Sequence, residues 1–175
     1  MKHITIWLFF ALLLFSCKEI DEITHFYIEQ ETEISLETTN LAGYFFSTTS
    51  SPVFTLSDSI YLANQTDASH VTQIILKSLL LKISYADTMP EFHIELADVY
   101  MVTPDGKQKH VAWNGAIPPD VLSPIPVFLT TDNLNDILSD STVQYMFEGI
   151  VSDDTIGKTK WSLQASFYVN AVVVN

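Results

Sequence analysis

Four histidines lie beyond the first few residues, at His25, His70, His93 and His110. None forms an HExxH pattern or an i, i+4 pair that would put two metal ligands on one helical face. His93 and Glu95 are two apart, so a regular strand would place both on one face as two ligands. Folding the following hairpin about Pro104-Asp105 sends His110 toward Tyr100 instead, and no third ligand joins them. Asp132, Asp136 and Asp140 recur every four residues. On a helix they would align three carboxylates, but the simpler reading is a cap, a solvated side chain and a residue past the helix end. The alternating acidic spacing of a calcium loop is absent. Gly157-Lys158-Thr159 ends like a phosphate-binding loop, yet Ser152 stands where the first glycine belongs and a strand follows where a helix should. There is no GxSxG elbow. A small hydrolase would need paired carboxylates or a histidine dyad assembled only in three dimensions, and no enzyme, cofactor or resident metal is expected.

Cys17 is the sole cysteine, so no internal disulfide and no CxxC site exist. It follows an apolar run from Ile4 to Phe15 broken only by Thr5. At ~1.5 Å per helical residue that run covers roughly 18 Å, short of a ~30 Å hydrocarbon core. With Lys2 ahead of it and small Ser16 behind, it reads as a secretory signal. Leu14-Phe15-Ser16-Cys17 resembles the lipobox of bacterial lipoproteins, with Phe15 departing from the small or aliphatic residue usual there. The resemblance implies removal of residues 1–16 and acylation of Cys17, which would anchor the chain to a membrane by lipid. The segment Lys18-Glu19-Ile20-Asp21-Glu22 is similar to the export signal of surface lipoproteins in the Bacteroidota, which implies an outer-membrane, surface-exposed address, the periplasmic face being the alternative. Residues 17–24 are read as the lipidated N-terminus and tether, and 25–175 as one domain.

The formal net charge is −13, and no arginine occurs anywhere. Arginine is the usual bidentate reader of phosphate, and an acidic surface repels nucleic-acid backbones. Nucleic acid is therefore excluded as a partner, and protein charge would not hold the chain to anionic headgroups.

Asp58-Ser59-Ile60, Asp87-Thr88-Met89, Asp140-Ser141-Thr142 and Asp154-Thr155-Ile156 all resemble the O-glycosylation motif of the same bacterial group. Ser59, Thr88, Ser141 and Thr155 are the candidate acceptors, each expected at a turn or loop edge where a modifying enzyme has access.

Strand patterns dominate the domain. Trp161, Leu163, Ala165, Phe167, Val169, Ala171 and Val173 alternate with polar neighbours, which predicts a long strand with one buried face. Val71–Tyr85 is apolar on both faces and predicts a central strand. Pro104 and Gly106 predict a turn between two strands, with a bulge near Ala97-Asp98. The proline-rich stretch 116–126 predicts a rigid crossing loop. Residues 132–138 predict one short helix. Val143–Val151 and Thr159–Val174 are expected to form a hairpin. Short weaker strands at 26–29, 33–36, 43–47 and 53–56 complete an all-β domain, a single antiparallel β-sandwich, immunoglobulin-like in layout, with a closed barrel as the alternative.

Binding is the function this architecture suits. Trp113-Asn114 puts an indole beside an amide at a hairpin end, and Tyr44-Phe45-Phe46 is a second aromatic cluster. Flat rings suit sugar faces and amides suit hydroxyls. Trp113, Asn114 and Tyr44 are the candidate platform for a glycan, or for a protein partner docked by a scaffolding module. The C-terminal "FYVNAVVVN" would offer a pairing edge if it lay at a sheet margin.

Overall fold

The protein was analysed as a computed structural model, which describes residues 23–40, 43–55, 57–86, 93–120, 123–151 and 155–174. The expected signal peptide, Cys17, the tether up to residue 22 and Thr88 lie outside the described residues.

Among the described residues, nine strands make two antiparallel sheets. In chain order they are β1 (Ile23–Asn40), β2 (Tyr44–Thr49), β3 (Val53–Phe54), β4 (Val71–Ala86), β5 (Ile94–Val102), β6 (Gln108–Asn114), β7 (Phe128–Leu129), β8 (Thr142–Val151) and β9 (Thr155–Val172). One sheet is β1-β9-β4. The other runs β2-β8-β5-β6-β7, with β3 added to β8. The sandwich and the all-β class are as the sequence predicts.

The core lies where the inward phases of the two sheets meet. Trp161 of β9 is fully buried and its ring lies 5.6 Å from Phe147 of β8, which in turn packs edge-on against Phe46 of β2 at 5.1 Å. On β9 every inward residue from Trp161 to Ala171 is buried, as the alternation predicts.

Several expected elements differ. The strand predictions at 26–29 and 33–36 are parts of a single strand, β1. Its inward phase carries Gln30 and Thr32 between apolar Ile28 and Ile34, which breaks the pattern without breaking the strand. β8 and β9 are not a hairpin: β8 pairs with β2, β3 and β5, while β9 pairs with β1 and β4. The chain crosses between sheets there, so each strand can bury one face against the other's. β4 is an edge strand rather than a central one. Its second apolar face arises from a register shift between Leu76 and Ser78, which moves the buried set from Ile74 and Leu76 to Leu79 and Leu81. The C-terminal strand is likewise no free margin, since β9 has a partner on both sides.

The end of the expected crossing loop and the residues at 133–134 cover parts of the β4 edge. Ile125 and Leu134 donate backbone N–H groups to Leu81 and Ile74 carbonyls at 2.9 and 2.8 Å, and Asn133 Oδ1 accepts from the Ile74 N–H at 3.0 Å. An edge covered in this way presents no template for another chain.

Two short α-helices accompany the sheets among the described residues. α1 (Ser57–Ala63) has no counterpart in the sequence prediction, and it seats Tyr61 against Phe26 with ring centres 6.0 Å apart. α2 (Asn135–Leu138) falls within the predicted 132–138 helix and buries Ile137 and Leu138. Asp132 does not cap it: the cap position is Leu134, and the side chain that accepts from the Asn135 N–H is Asn133.

Candidate functional site

The outer face of the larger sheet carries a row that crosses five of its strands. Ser47 on β2 stands opposite Glu148 on β8, Glu148 opposite Asp98 on β5, Asp98 opposite Trp113 on β6, and Trp113 opposite Phe128 on β7. A second row beside it runs Thr49, Met146, Tyr100, His110. A third runs Phe45, Ile150, Leu96. Phe128, Phe45 and Trp113 are 63%, 53% and 40% exposed, so this face presents large rings to solvent.

A bulge assembles the aromatic part. His110 and Trp113 are three residues apart, and a regular strand would send them to opposite faces. In β6 the pairing with β5 jumps from Ala112 to His110. Val111 and Ala112 are both buried, so one residue is inserted and His110 and Trp113 share the outer face. Four rings then run in sequence. Tyr100 stacks on His110 at 4.7 Å and 28°, His110 lies 5.8 Å from Trp113, and Trp113 lies 6.0 Å from Phe128.

Polar groups flank the rings. His110 Nε2 is 2.8 Å from Asp98 Oδ1, which fixes the imidazole between Tyr100 and Trp113. Ser47 Oγ donates to Glu148 Oε1 at 2.9 Å. Burial, reinforced by the charges of Asp98 and Glu148, pushes the Tyr100 phenol above its ordinary value. The hydroxyl therefore stays a donor across the physiological range. Rings with donors and acceptors at their margin can stack on a flat apolar surface and bond the hydroxyls around it.

The predicted platform residues separate. Trp113 is in the row. Asn114, its neighbour, turns inward: it is buried, its amide donates to the Pro126 carbonyl at 2.8 Å, and its Oδ1 accepts from the Ala116 N–H at 3.0 Å. It braces the crossing loop. Tyr44 is half exposed but stands opposite buried Val151, in the inward phase of β2, so it does not join Trp113. Phe45, the next residue, does lie on the outer face. Sequence reasoning missed Tyr100, His110, Phe128, Asp98 and Glu148. The pairing of Tyr100 with His110 was visible in the hairpin register, whereas Phe128 belongs to a two-residue strand with no periodic signal.

The remaining candidates are placed as follows. His93 is buried and Glu95 exposed, because the β5–β8 pairing shifts between Ile94 and Leu96 and destroys the shared face. Asp136 is held by Lys107 at 2.7 Å and Lys109 at 3.8 Å. Their hydrogen bond and charges keep its carboxyl below the usual range. Among the described residues no group of three His, Cys, Asp or Glu side chains is placed to hold a metal ion. Of the candidate glycosylation positions, Ser59 lies within α1 rather than at a turn, Ser141 is exposed just before β8, and Thr155 opens β9.

The smaller sheet has an aromatic cluster of its own. His25 stacks on Tyr168 at 5.6 Å, Tyr27 lies 5.4 Å from it, and Lys77 Nζ sits 5.2 Å from the Tyr168 ring centre. That ring is covered by the protein's own cation.

No family model matches the chain, and no curated protein matches it. Among solved structures, a chain from turnip yellow mosaic virus aligns at 12% identity over 87% of this chain and 98% of its own, with a TM-score of 0.31. One from Desmodium yellow mottle tymovirus aligns at 13% over 87% and 91%, with a TM-score of 0.25. A third, from a study of carbohydrate-binding modules of the β-sandwich superfamily, aligns at 15% over 90% of this chain and 58% of its own, with a TM-score of 0.29. At TM-scores this low the alignments establish neither a common fold nor a common function.

Proposed function

We propose that this chain is a non-catalytic binding module, exported and held at the outer membrane by a lipid on Cys17, and that it takes a carbohydrate on the outer face of its six-stranded sheet. The observation that carries the reading is the ring row Tyr100–His110–Trp113–Phe128 on the outer face, its first two rings half-buried and its last two exposed, beside Asp98 and Glu148. Large rings are ordinarily buried, and a set of them left on one face of a sheet marks an interaction surface. Their flatness suits the C–H faces of pyranose rings, while the carboxylates and the Tyr100 hydroxyl suit sugar hydroxyls.

The test is a glycan-binding screen followed by titration of the best oligosaccharide. Trp113→Ala and Phe128→Ala are expected to weaken binding about tenfold or more each, as loss of a central aromatic contact does. Tyr44→Ala, on the other phase of the sheet, is expected to leave affinity unchanged. Binding indifferent to Trp113 and Phe128 would remove the platform. Release of new reducing ends from the bound oligosaccharide would show an enzyme instead.

A further inference from the structure

We infer that the free edge of β1 takes an extended segment of another protein as an added strand, one that carries lysine or arginine at alternate positions. This edge belongs to the smaller sheet and does not involve the ring row. β1 is the outermost strand there, with β9 on one side. Its pairing with β9 runs from Ile23–Val172 to Asn40–Thr155 without a register shift. In an antiparallel pair, successive residues turn their N–H and C=O groups alternately toward the neighbour and away from it. The Asn170 carbonyl accepts from Thr72 of β4 at 3.1 Å, so it faces away from His25, its partner on β1. The Ser35 carbonyl accepts from Thr48 at 2.8 Å, on the side away from β9. Both contacts fix one phase. The backbone groups of His25, Tyr27, Glu29, Glu31 and Glu33 point outward along the sheet margin.

The opposite margin shows how this protein guards an edge. On β4, backbone groups of Val71, Thr72, Ile74, Leu81 and Ile83 are met by groups from residues 123–135, and the strand carries register shifts. Over residues 23–36 of β1, the Thr48 hydroxyl at Ser35 is the sole such contact among the described residues. A proline, a lysine or a bulge ordinarily blunts an edge, and 23–36 has none of them.

Backbone pairing along such an edge supplies affinity, and the side chains opposite supply selectivity. His25, Tyr27, Glu29, Glu31 and Glu33 are all exposed, so a strand laid beside them sets one residue against each. Ser166 donates to Glu29 at 2.6 Å, while Gln164 and Ser162 donate to Glu31 at 2.9 and 3.4 Å. These neutral donors orient the two carboxylates without discharging them. Glu33 has Lys160 at 3.9 Å, both side chains being more than half exposed. Tyr27, 58% exposed, begins the apolar end of the row. A second copy of this chain would bring the same glutamates and a net charge of −13 to the pairing line, where opposed like charges disfavour association. The occupant is therefore a different, basic chain.

The experiment is titration of the full chain, in detergent micelles, with the peptide Lys-Thr-Lys-Thr-Lys-Thr-Val-Thr-Val. Laid antiparallel, it sets lysines opposite Glu33, Glu31 and Glu29. The comparisons are the same peptide with glutamate for lysine, and two N-methylated forms, one methylated at lysines and valines, the other at threonines. The lysine peptide is expected to bind at least about tenfold more tightly than the glutamate one and to slow amide exchange at His25, Tyr27, Glu29, Glu31 and Glu33. Methylation of the lysine and valine nitrogens, which would face β1, should abolish binding, and methylation of the threonines should leave it. Glu29→Pro removes an N–H that faces away from β9 and should abolish binding; if that variant does not fold, the methylated peptides carry the same test. Equal binding of the lysine and glutamate peptides would overturn the charge selection. Equal binding of the two methylated forms would overturn strand addition. A dimer by sedimentation that Glu29→Pro dissociates would give the edge to a second copy, and a monomer that binds no peptide would overturn the proposal outright. Trp113→Ala should leave peptide binding unchanged, which separates this edge from the glycan platform.

Discussion

Tyr145 and Gln30 make a polar contact between the two sheets. Gln30 occupies the inward phase of β1, and the Tyr145 hydroxyl donates to its Oε1. Burial pushes the Tyr145 phenol far above its ordinary value, so the donor keeps its proton at any working pH. Tyr145→Phe would leave a buried acceptor without its donor, a loss of about 1–3 kcal/mol. The thermal midpoint should fall by roughly 2–12 °C, and an unchanged midpoint by circular dichroism would refute the role. Acidic stability belongs to the same scale. Hydrogen bonds from Ser69, then His70, lower the Asp67 carboxyl to about 2. A group whose folded pKa is depressed contributes stability above its unfolded pKa of about 4, and that contribution is lost as pH falls toward 2. Asp67→Asn should therefore flatten the pH dependence of the thermal midpoint between pH 4 and 2, and a slope identical to that of the unaltered chain would refute the linkage. Single residues were unevenly legible. Trp113 announced itself by its place at a hairpin end, whereas inward Asn114 and outward His110 depend on a one-residue insertion that composition does not reveal.

Among the elements, β8 is constrained most tightly at Gly149. A Cβ there would lie 2.4 Å from the Leu96 carbonyl oxygen and 2.8 Å from the Phe46 ring. Backbone on one side and a packed ring on the other leave little to yield. Gly149→Ala should destabilise by about 1–3 kcal/mol, visible as a reduced denaturant midpoint with an unchanged slope. The same substitution at exposed Gly115, where nothing lies within 4 Å, serves as its control. β9 was readable because a pleated strand turns successive side chains to opposite faces and so writes burial directly into the residue order, whereas β4 was legible as a strand but not as an edge, because its register shift turns apolar residues to both faces. The Thr103–Lys107 turn was readable because Gly106 adopts the positive φ of +86° that its place in the turn demands. α1 was not, since seven residues give too few turns for a period. The passage from β8 to β9 was misread because the same alternation describes a strand returning beside its neighbour and one crossing to the opposite sheet. Only pairing distinguishes the two. At the site, the sequence yielded one ring of four, because a row across five strands is written in register rather than in adjacency.

For the whole molecule, the lipid anchor proposed at Cys17 would govern where the sandwich can act. Cys17→Ser should move the chain from the membrane pellet to the soluble fraction and abolish incorporation of a fatty-acid label, while the purified domain keeps its melting curve. Retention in the pellet would refute acylation at that residue. Alanines at Lys18-Glu19 should remove protease access on intact cells if the tether directs surface display. The net charge of −13 favours solubility and keeps copies apart, and it makes the local concentration of negative charge at the ring row part of a wider field that draws cations.

β9 lies between β1 and β4, and Ile23 is paired with Val172. β1 and β4 thus wait for a strand that comes long after them in the chain, and the smaller sheet cannot zip shut until the residues of β9 have left the ribosome. Until then β1 lacks its ladder neighbour, and a polypeptide stalled short of that point would be an open, protease-sensitive half-shell. Such dependence on distant pairing slows folding, and it makes closure of the sandwich conditional on the emergence of β9.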